Sequence, residues 1–239
     1  MQEIQYISLS ESAVLLSFGN TINSADHEKL MQVKKIIEQN PFKGFIETVP
    51  AYNSLAVYYN PFTVEKQHKT IAASVIEQVR RMLQKAPPSI NESNSSSIVS
   101  IPVCYDEEYG IDLQELSAHL QLSIDEIIQL HTNKIYKIFM IGFTPGFPYM
   151  GTVDEKLFTK RKAQPRVQVP AGSVAIAGNQ TGIYPLATPG GWNIIGRSAV
   201  TVFDQQKEHP FLLKAGDQVE FASITKKEFE TLIGKQINK

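Results

Sequence analysis

The chain has 239 residues, 42% of them hydrophobic, and its 23 Lys and Arg against 24 Asp and Glu leave a formal charge of −1. With no long-range positive field, nucleic acid and anionic membrane surfaces are disfavoured partners. The single cysteine, Cys104, excludes an internal disulfide, the start Met1-Gln2-Glu3-Ile4-Gln5-Tyr6 lacks a signal-peptide pattern, and no apolar run approaches a membrane span, so a soluble, cytoplasmic protein of two modest domains is expected.

In chain order, Ile4–Leu9 and Ala13–Phe18 read as strands, followed by a helix that begins after Asn23 or Ser24 and repeats Leu30, Val33, Ile36 and Ile37. Phe45–Val49 and Leu55–Tyr59 read as a second strand pair. A second helix is expected to begin at Thr63 and to carry Ile71, Val75, Val79, Met82 and Leu83 on one face. This is a ββαββα domain over residues 1–85, with both helices laid on one face of an antiparallel sheet. The Pro-, Ser- and Asn-rich stretch 86–97 reads as a linker, and residues 98–239 as a second domain.

That second domain opens with a strand at Ile98–Tyr105. Two short helices follow whose starts carry matching capping boxes, Asp112 with Glu115 and Ser123 with Glu126. Ile135–Ile141 is apolar on both faces, as in a central strand. Val167–Val169, Ser173–Ala177, Ile194–Ile195, Ala199–Phe203 and Gln218–Ala222 are short strands separated by Gly and Pro turns, a spacing that suggests a closed or nearly closed barrel. An amphipathic piece, Lys226–Ile233, is placed as a cap on one end. The overall class is α+β.

No phosphate-cradling Gly-x-x-x-x-Gly-Lys-Ser/Thr run, dinucleotide fingerprint or nucleophile elbow is present, and the five histidines lack metal-ligand spacing. The informative stretch is instead Gly142–Arg197, where Pro and Gly are repeatedly paired beside aromatics. Such loops are stiff, and they hold flat side chains in fixed directions.

The motifs Gly142-Phe143-Thr144-Pro145-Gly146-Phe147, Pro165-Arg166, Val169-Pro170-Ala171-Gly172-Ser173-Val174, Gln180-Thr181-Gly182-Ile183-Tyr184-Pro185, Pro189-Gly190-Gly191-Trp192, Ile195-Gly196-Arg197 and Gly216-Asp217-Gln218-Val219-Glu220-Phe221 together resemble the B subunit of the bacterial 5-oxoprolinase. That family is also called allophanate hydrolase subunit 1 and includes the inhibitor of a sporulation histidine kinase. The resemblance implies an amino-terminal α/β sandwich followed by a cyclophilin-like β-barrel. It also implies partners, homologues of the enzyme's C and A subunits, with which such a chain cleaves 5-oxo-L-proline to L-glutamate using ATP. As an alternative it implies that the barrel docks on a sensor histidine kinase and blocks its autophosphorylation.

Opening a lactam at the expense of ATP needs an anchor for the substrate carboxylate and a dry pocket. Arg166 and Arg197 offer planar forks for a carboxylate or phosphate, or else pair with Asp204 or Asp217 to hold barrel loops together. Phe143 and Tyr184 read as core, whereas Phe147 and Trp192, set between helix-breaking residues, read as exposed or pocket-lining. His131 is the histidine placed to carry a proton, or else to satisfy a carbonyl at a helix end. The candidate catalytic pair is therefore His131 and Arg166. The candidate substrate- or partner-binding set is Phe143, Pro145, Phe147, Gln180, Tyr184, Pro189, Gly190, Gly191, Trp192 and Arg197. ATP is assigned to or with the partner subunits, and no metal site is recognisable in the chain.

Overall fold

A computed structural model of the chain describes residues 4–20, 23–85 and 98–237. Two compact units divide near residue 94, and the expected linker 86–97 lies outside the described residues.

In the amino-terminal unit the order is β1 (Gln5–Ser10), β2 (Ala13–Ser17), α1 (Ser24–Gln39), β3 (Phe45–Pro50), β4 (Ser54–Tyr59) and α2 (Ile71–Lys85). The four strands form one antiparallel sheet in the order β1-β2-β4-β3. Register explains which face is buried: Leu16 stands opposite Leu55 and Val14 opposite Val57, so these four side chains share one face. On that face they meet Leu30, Val33 and Ile37 of α1 and Ala72, Val75 and Val79 of α2. Each fully buried Leu, Ile or Val in such a layer contributes about 1.5–3 kcal/mol. Asn23 caps α1 by accepting the Asp26 N–H at 2.8 Å.

The second helix starts eight residues later than the sequence predicts. Thr63 is instead held in a turn by its N–H to the Asn60 carbonyl, and Val64 drops into the core. Thr70 supplies the helix start, its hydroxyl accepting the Ala73 N–H at 3.1 Å.

The second unit contains β5 (Ile98–Cys104), α3 (Leu113–Leu120), α4 (Ile124–Thr132), β6 (Ile135–Ile141), β7 (Pro148–Gly151), β8 (Arg166–Val169), β9 (Ser173–Ala177), β10 (Gln180–Ile183), β11 (Thr188–Gly190), β12 (Asn193–Ser198), β13 (Gln218–Ile224) and α5 (Lys226–Ile237). Seven of these strands close a barrel in the order β10-β7-β6-β13-β5-β12-β9, and β8 pairs with β11 as a separate two-stranded ribbon. The strand expected at Ala199–Phe203 is absent. That stretch makes one isolated bridge, Phe203 to Phe211, and the Ser198 hydroxyl bonds the Val200 N–H and carbonyl, diverting the backbone from a ladder.

Alternation along the strands separates two apolar layers. Val174 and Ile176 of β9, Ile183 of β10, Met150 of β7, Tyr136 and Ile138 of β6, Val219 and Phe221 of β13, and Ile101 and Val103 of β5 belong to one large core, together with Leu113, Leu116 and Ile127 of α3 and α4. Ala175 and Ala177, pointing the other way from β9, join Phe147, Tyr184, Trp192, Val169 and Ile194 in a second cluster. This second layer is where the sequence motifs converge.

Candidate functional site

The loop between β6 and β7 is built from two consecutive tight turns. Thr144 N–H donates to the Gly142 carbonyl at 2.8 Å across Phe143, whose φ of 67° is a γ-turn conformation rare for a side chain-bearing residue. Phe147 N–H then donates to the Thr144 carbonyl at 3.1 Å, with Pro145 and Gly146 (φ 82°) as the central pair of a type II β-turn. The sequence reading of the two phenylalanines is reversed. Phe143 is 62% exposed, whereas Phe147 is 1% exposed. The Phe143 ring stands edge-on to Phe147, with centroids 5.7 Å apart, so the inner ring supports the outer one.

Phe147 is the hub of the aromatic layer, packing against Tyr149, Tyr184 and Trp192 with centroids 4.8–5.4 Å apart. Trp192, expected to be open, is 4% exposed. The β8–β11 ribbon explains this, because Val169 of β8 joins the same cluster and Gly190 of β11 lies on the Tyr184 ring. A Cβ at Gly190 would stand 2.4 Å from the Tyr184 hydroxyl oxygen, so only glycine lets the ribbon close down there. Burial raises the Tyr184 pKa. A Trp192 backbone hydrogen bond and the Arg161 and Arg166 charges pull it back, so both guanidinium groups act on this hydroxyl.

Arg166 does not pair with Asp204 or Asp217; its partner is Asp112. This carboxylate, 2% exposed, receives Arg166 Nη2 at 2.6 Å and Lys162 Nζ at 2.9 Å on Oδ1, and the Ile194 N–H at 2.7 Å on Oδ2. Those bonds explain why the capping box expected at Asp112 and Glu115 does not form: the Asp112 side chain makes no cap bond to α3. The box at Ser123 and Glu126 is complete. Lys162 also reaches Glu115 at 2.7 Å; burial alone would lower its pKa, but the two carboxylates outweigh burial and raise it.

The segment 159–166 is stitched to the start of β12. Lys162 N–H donates to the Gly191 carbonyl at 2.7 Å, and Asn193 Nδ2 donates to the Lys160 carbonyl at 2.9 Å. The result sets Arg161 over the Trp192 indole, Cζ to ring centroid 5.8 Å. Sequence reading missed Asp112, Arg161 and Lys162 as site residues. The available signal was four basic residues in Thr159-Lys160-Arg161-Lys162-Ala163-Gln164-Pro165-Arg166, in a chain of net charge −1.

His131 sits at the end of α4, fully buried within the barrel core. Its Nδ1 accepts from the Tyr105 hydroxyl at 2.8 Å; its Nε2 lies 2.8 Å from Thr181 Oγ1, which itself donates to the Ala175 carbonyl at 3.2 Å, so Nε2 carries the proton. Burial lowers its pKa to about 3. The carbonyl of His131 is satisfied by the Tyr136 hydroxyl at 2.9 Å, and the imidazole stacks on Phe221 with centroids 4.5 Å apart.

The remaining candidates are dispersed. Arg197 lies at the far end of β12 from Trp192, opposite Cys104 and Ser173, and its Nε donates to the Ala171 carbonyl at 3.0 Å; among the described residues no carboxylate pairs with it. Gln180 opens β10 opposite Gly151 and Ala177, and Pro145 and Pro189 are exposed. The structure therefore gathers Phe147, Tyr184, Gly190, Gly191, Trp192 and Arg166, with Phe143 on their rim, and leaves Arg197 and His131 apart. Among the described residues no group of three or more His, Cys, Asp or Glu is placed to hold a metal ion, and no helix is long and apolar enough to cross a membrane.

Residues 4–213 match the carboxyltransferase domain, subdomains C and D. The chain is 42% identical over 94% of its length to the B subunit of 5-oxoprolinase from Bacillus subtilis, covering 95% of that protein, and 35% identical over 92% of its length to the protein of the same name in Escherichia coli O157:H7, covering 96%. Among solved structures, TTHA0988 is 35% identical and superposes with a TM-score of 0.76 over 89% of this chain, which spans 40% of that longer one.

Proposed function

This chain belongs to the family of 5-oxoprolinase B subunits, and from that premise we propose that it is a non-autonomous component of an ATP-dependent 5-oxoprolinase. The observation that carries the reading is the 42% identity, spread over nearly the full length of both chains, to a protein bearing that name. In the proposed reaction, water cleaves the cyclic C–N amide bond of 5-oxo-L-proline to give L-glutamate, and ATP hydrolysis drives it. A phosphate-cradling motif is missing from this sequence, so ATP is assigned to the partners, homologues of the A and C subunits.

Within that assembly the chain contributes recognition. The aromatic layer under the β8–β11 ribbon supplies the dry wall, while Arg197, set apart from it and held at Nε by the Ala171 carbonyl, is assigned to partner binding. The buried engagements of His131 with Tyr105 and Thr181, and of Arg166 with Asp112, favour supporting roles for both over direct attack on substrate. Mixing the purified chain with the two partner subunits should release glutamate from 5-oxoproline only when ATP is present. Undiminished activity on omission of this chain refutes the proposal.

The exposed Phe143, fixed in its γ-turn, favours a second role for the same barrel as a protein-docking surface that restrains a sensor histidine kinase. Full inhibition of kinase autophosphorylation at saturating chain, lost in Phe143→Ala, is the expected result. No inhibition by the wild-type chain removes this role.

A further inference from the structure

The segment 159–166 concentrates charge in an otherwise balanced molecule. Lys160, Arg161, Lys162 and Arg166 stand there against Asp112 and Glu115, and both acids are already bound to Lys162 or Arg166. Among the described residues no carboxylate pairs with Arg161, whose ring and charge neighbours are Trp192 and the nearby tyrosine hydroxyls.

Arg166 is also incompletely satisfied. Arginine and carboxylate pairs that tie two loops frequently meet as two-pronged pairs. Here Asp112 commits Oδ2 to the Ile194 N–H, so Arg166 is held through Nη2 alone, and its Nη1 is buried with no acceptor among the described residues. A buried guanidinium donor left unmade is a cost that an incoming oxygen would relieve. The neighbouring turn is not closed off: a Cβ at Gly191 would sit in ordinary contact with the Lys162 carbonyl and Pro165, 3.6 Å away, and Gln164 and Pro165 beside it are exposed.

We propose that Arg161 and Arg166 flank a seat for one carboxylate or phosphate group beside the Gly190–Gly191–Trp192 turn, and that buried Asp112 is its positioning residue. Asp112 acts through three elements at once: it holds Arg166 at the start of β8, Lys162 within the basic segment, and the backbone of β12 at Ile194. Arg161 is thereby fixed over the indole, the head group that meets solvent and therefore the ligand first. The seat stands on this geometry alone; only its assignment to the substrate carboxylate rests on the oxoprolinase reading.

The test uses the sole tryptophan, Trp192, as its reporter. The full chain is titrated with sodium 5-oxoproline and, separately, with inorganic phosphate, against sodium chloride at equal ionic strength, while indole emission is followed. A saturable change with 5-oxoproline alone identifies a carboxylate seat, and one with phosphate alone a phosphate seat. Arg161→Ala should raise the half-saturating concentration by about tenfold or more, the scale set by one charge-assisted hydrogen bond, with Arg161→Lys in between. Asp112→Asn, read well below its unfolding temperature, should raise it as well. No saturable response to either anion, or a response unchanged by Arg161→Ala, overturns the proposal. Neither outcome depends on turnover, so a failed reconstitution of oxoprolinase activity leaves this result standing on its own.

Discussion

Acidification should weaken the barrel through His131. The imidazole is neutral in the folded chain because burial lowers its pKa to about 3, while in the unfolded chain it titrates near 6.5. Its contribution is therefore complete above pH 6.5 and is lost as pH falls towards 3, since the unfolded state then binds a proton that the folded state refuses. Between pH 7.5 and pH 5 the difference amounts to about 2 kcal/mol. Trp192 is the chain's only tryptophan and lies in the barrel unit, so its emission during urea unfolding follows that unit without the amino-terminal sheet. His131→Gln removes the titration. It also removes the ring stacked on Phe221, and is expected to cost about 2–4 kcal/mol at pH 7.5. The decisive quantity is the pH 7.5 to pH 5 shift, which should be smaller in the variant by about 2 kcal/mol. Equal shifts in wild type and variant would refute the argument that this neutral, doubly hydrogen-bonded imidazole couples the fold to pH.

Three other perturbations follow from contacts in the same unit. Gly190→Ala forces a methyl against Tyr184 and should destabilise the barrel by about 1–3 kcal/mol, seen as a lowered urea midpoint in tryptophan emission. Phe143→Gly relieves backbone strain of about 1–3 kcal/mol while sacrificing one exposed ring, so barrel stability should hold or rise while affinity for a partner subunit, measured by calorimetry, falls. Asp112→Ala strips the counter-charge from Lys162 and Arg166 and should cost about 3–5 kcal/mol, read as a drop in the thermal midpoint.

Local pattern carried much of the architecture into the sequence. Period-two runs marked β1 to β4, the Asn23 cap marked the start of α1, and Gly and Pro spacing marked a closed barrel. β7, β10 and β11 escaped notice because they are three or four residues long and contain Gly or Pro, which read as loop. The misplaced start of α2 has a similar origin: Thr63 has the chemistry of a cap, but the backbone there already belongs to a turn. Burial of Phe147 and Trp192 was not legible from their flanking residues, because the ribbon covering them comes from β8 and β11, elements that pair only in three dimensions. Asp112 shows the same limit. Its spacing to Glu115 advertises a helix cap, while its actual partners lie about 50–80 residues further along the chain.

The parallel pairing of β5 with β13 fixes the order in which the barrel can be completed. Ile98 stands beside Gln218 and Cys104 beside Ile224, so the unit's first strand is joined to its last. During synthesis β5 has no strand partner until β12 arrives with Arg197 and Ser198, and its other edge stays open until β13 follows from Gln218, a long-range closure that makes folding slow and leaves the nascent barrel open to aggregation. The amino-terminal unit, whose sheet contacts lie within its first 59 residues, meets no such delay and can mature while the barrel is still incomplete. A chain truncated just before Gln218 would deprive both β5 and β6 of a neighbour, and should accumulate as aggregate rather than as a smaller folded barrel.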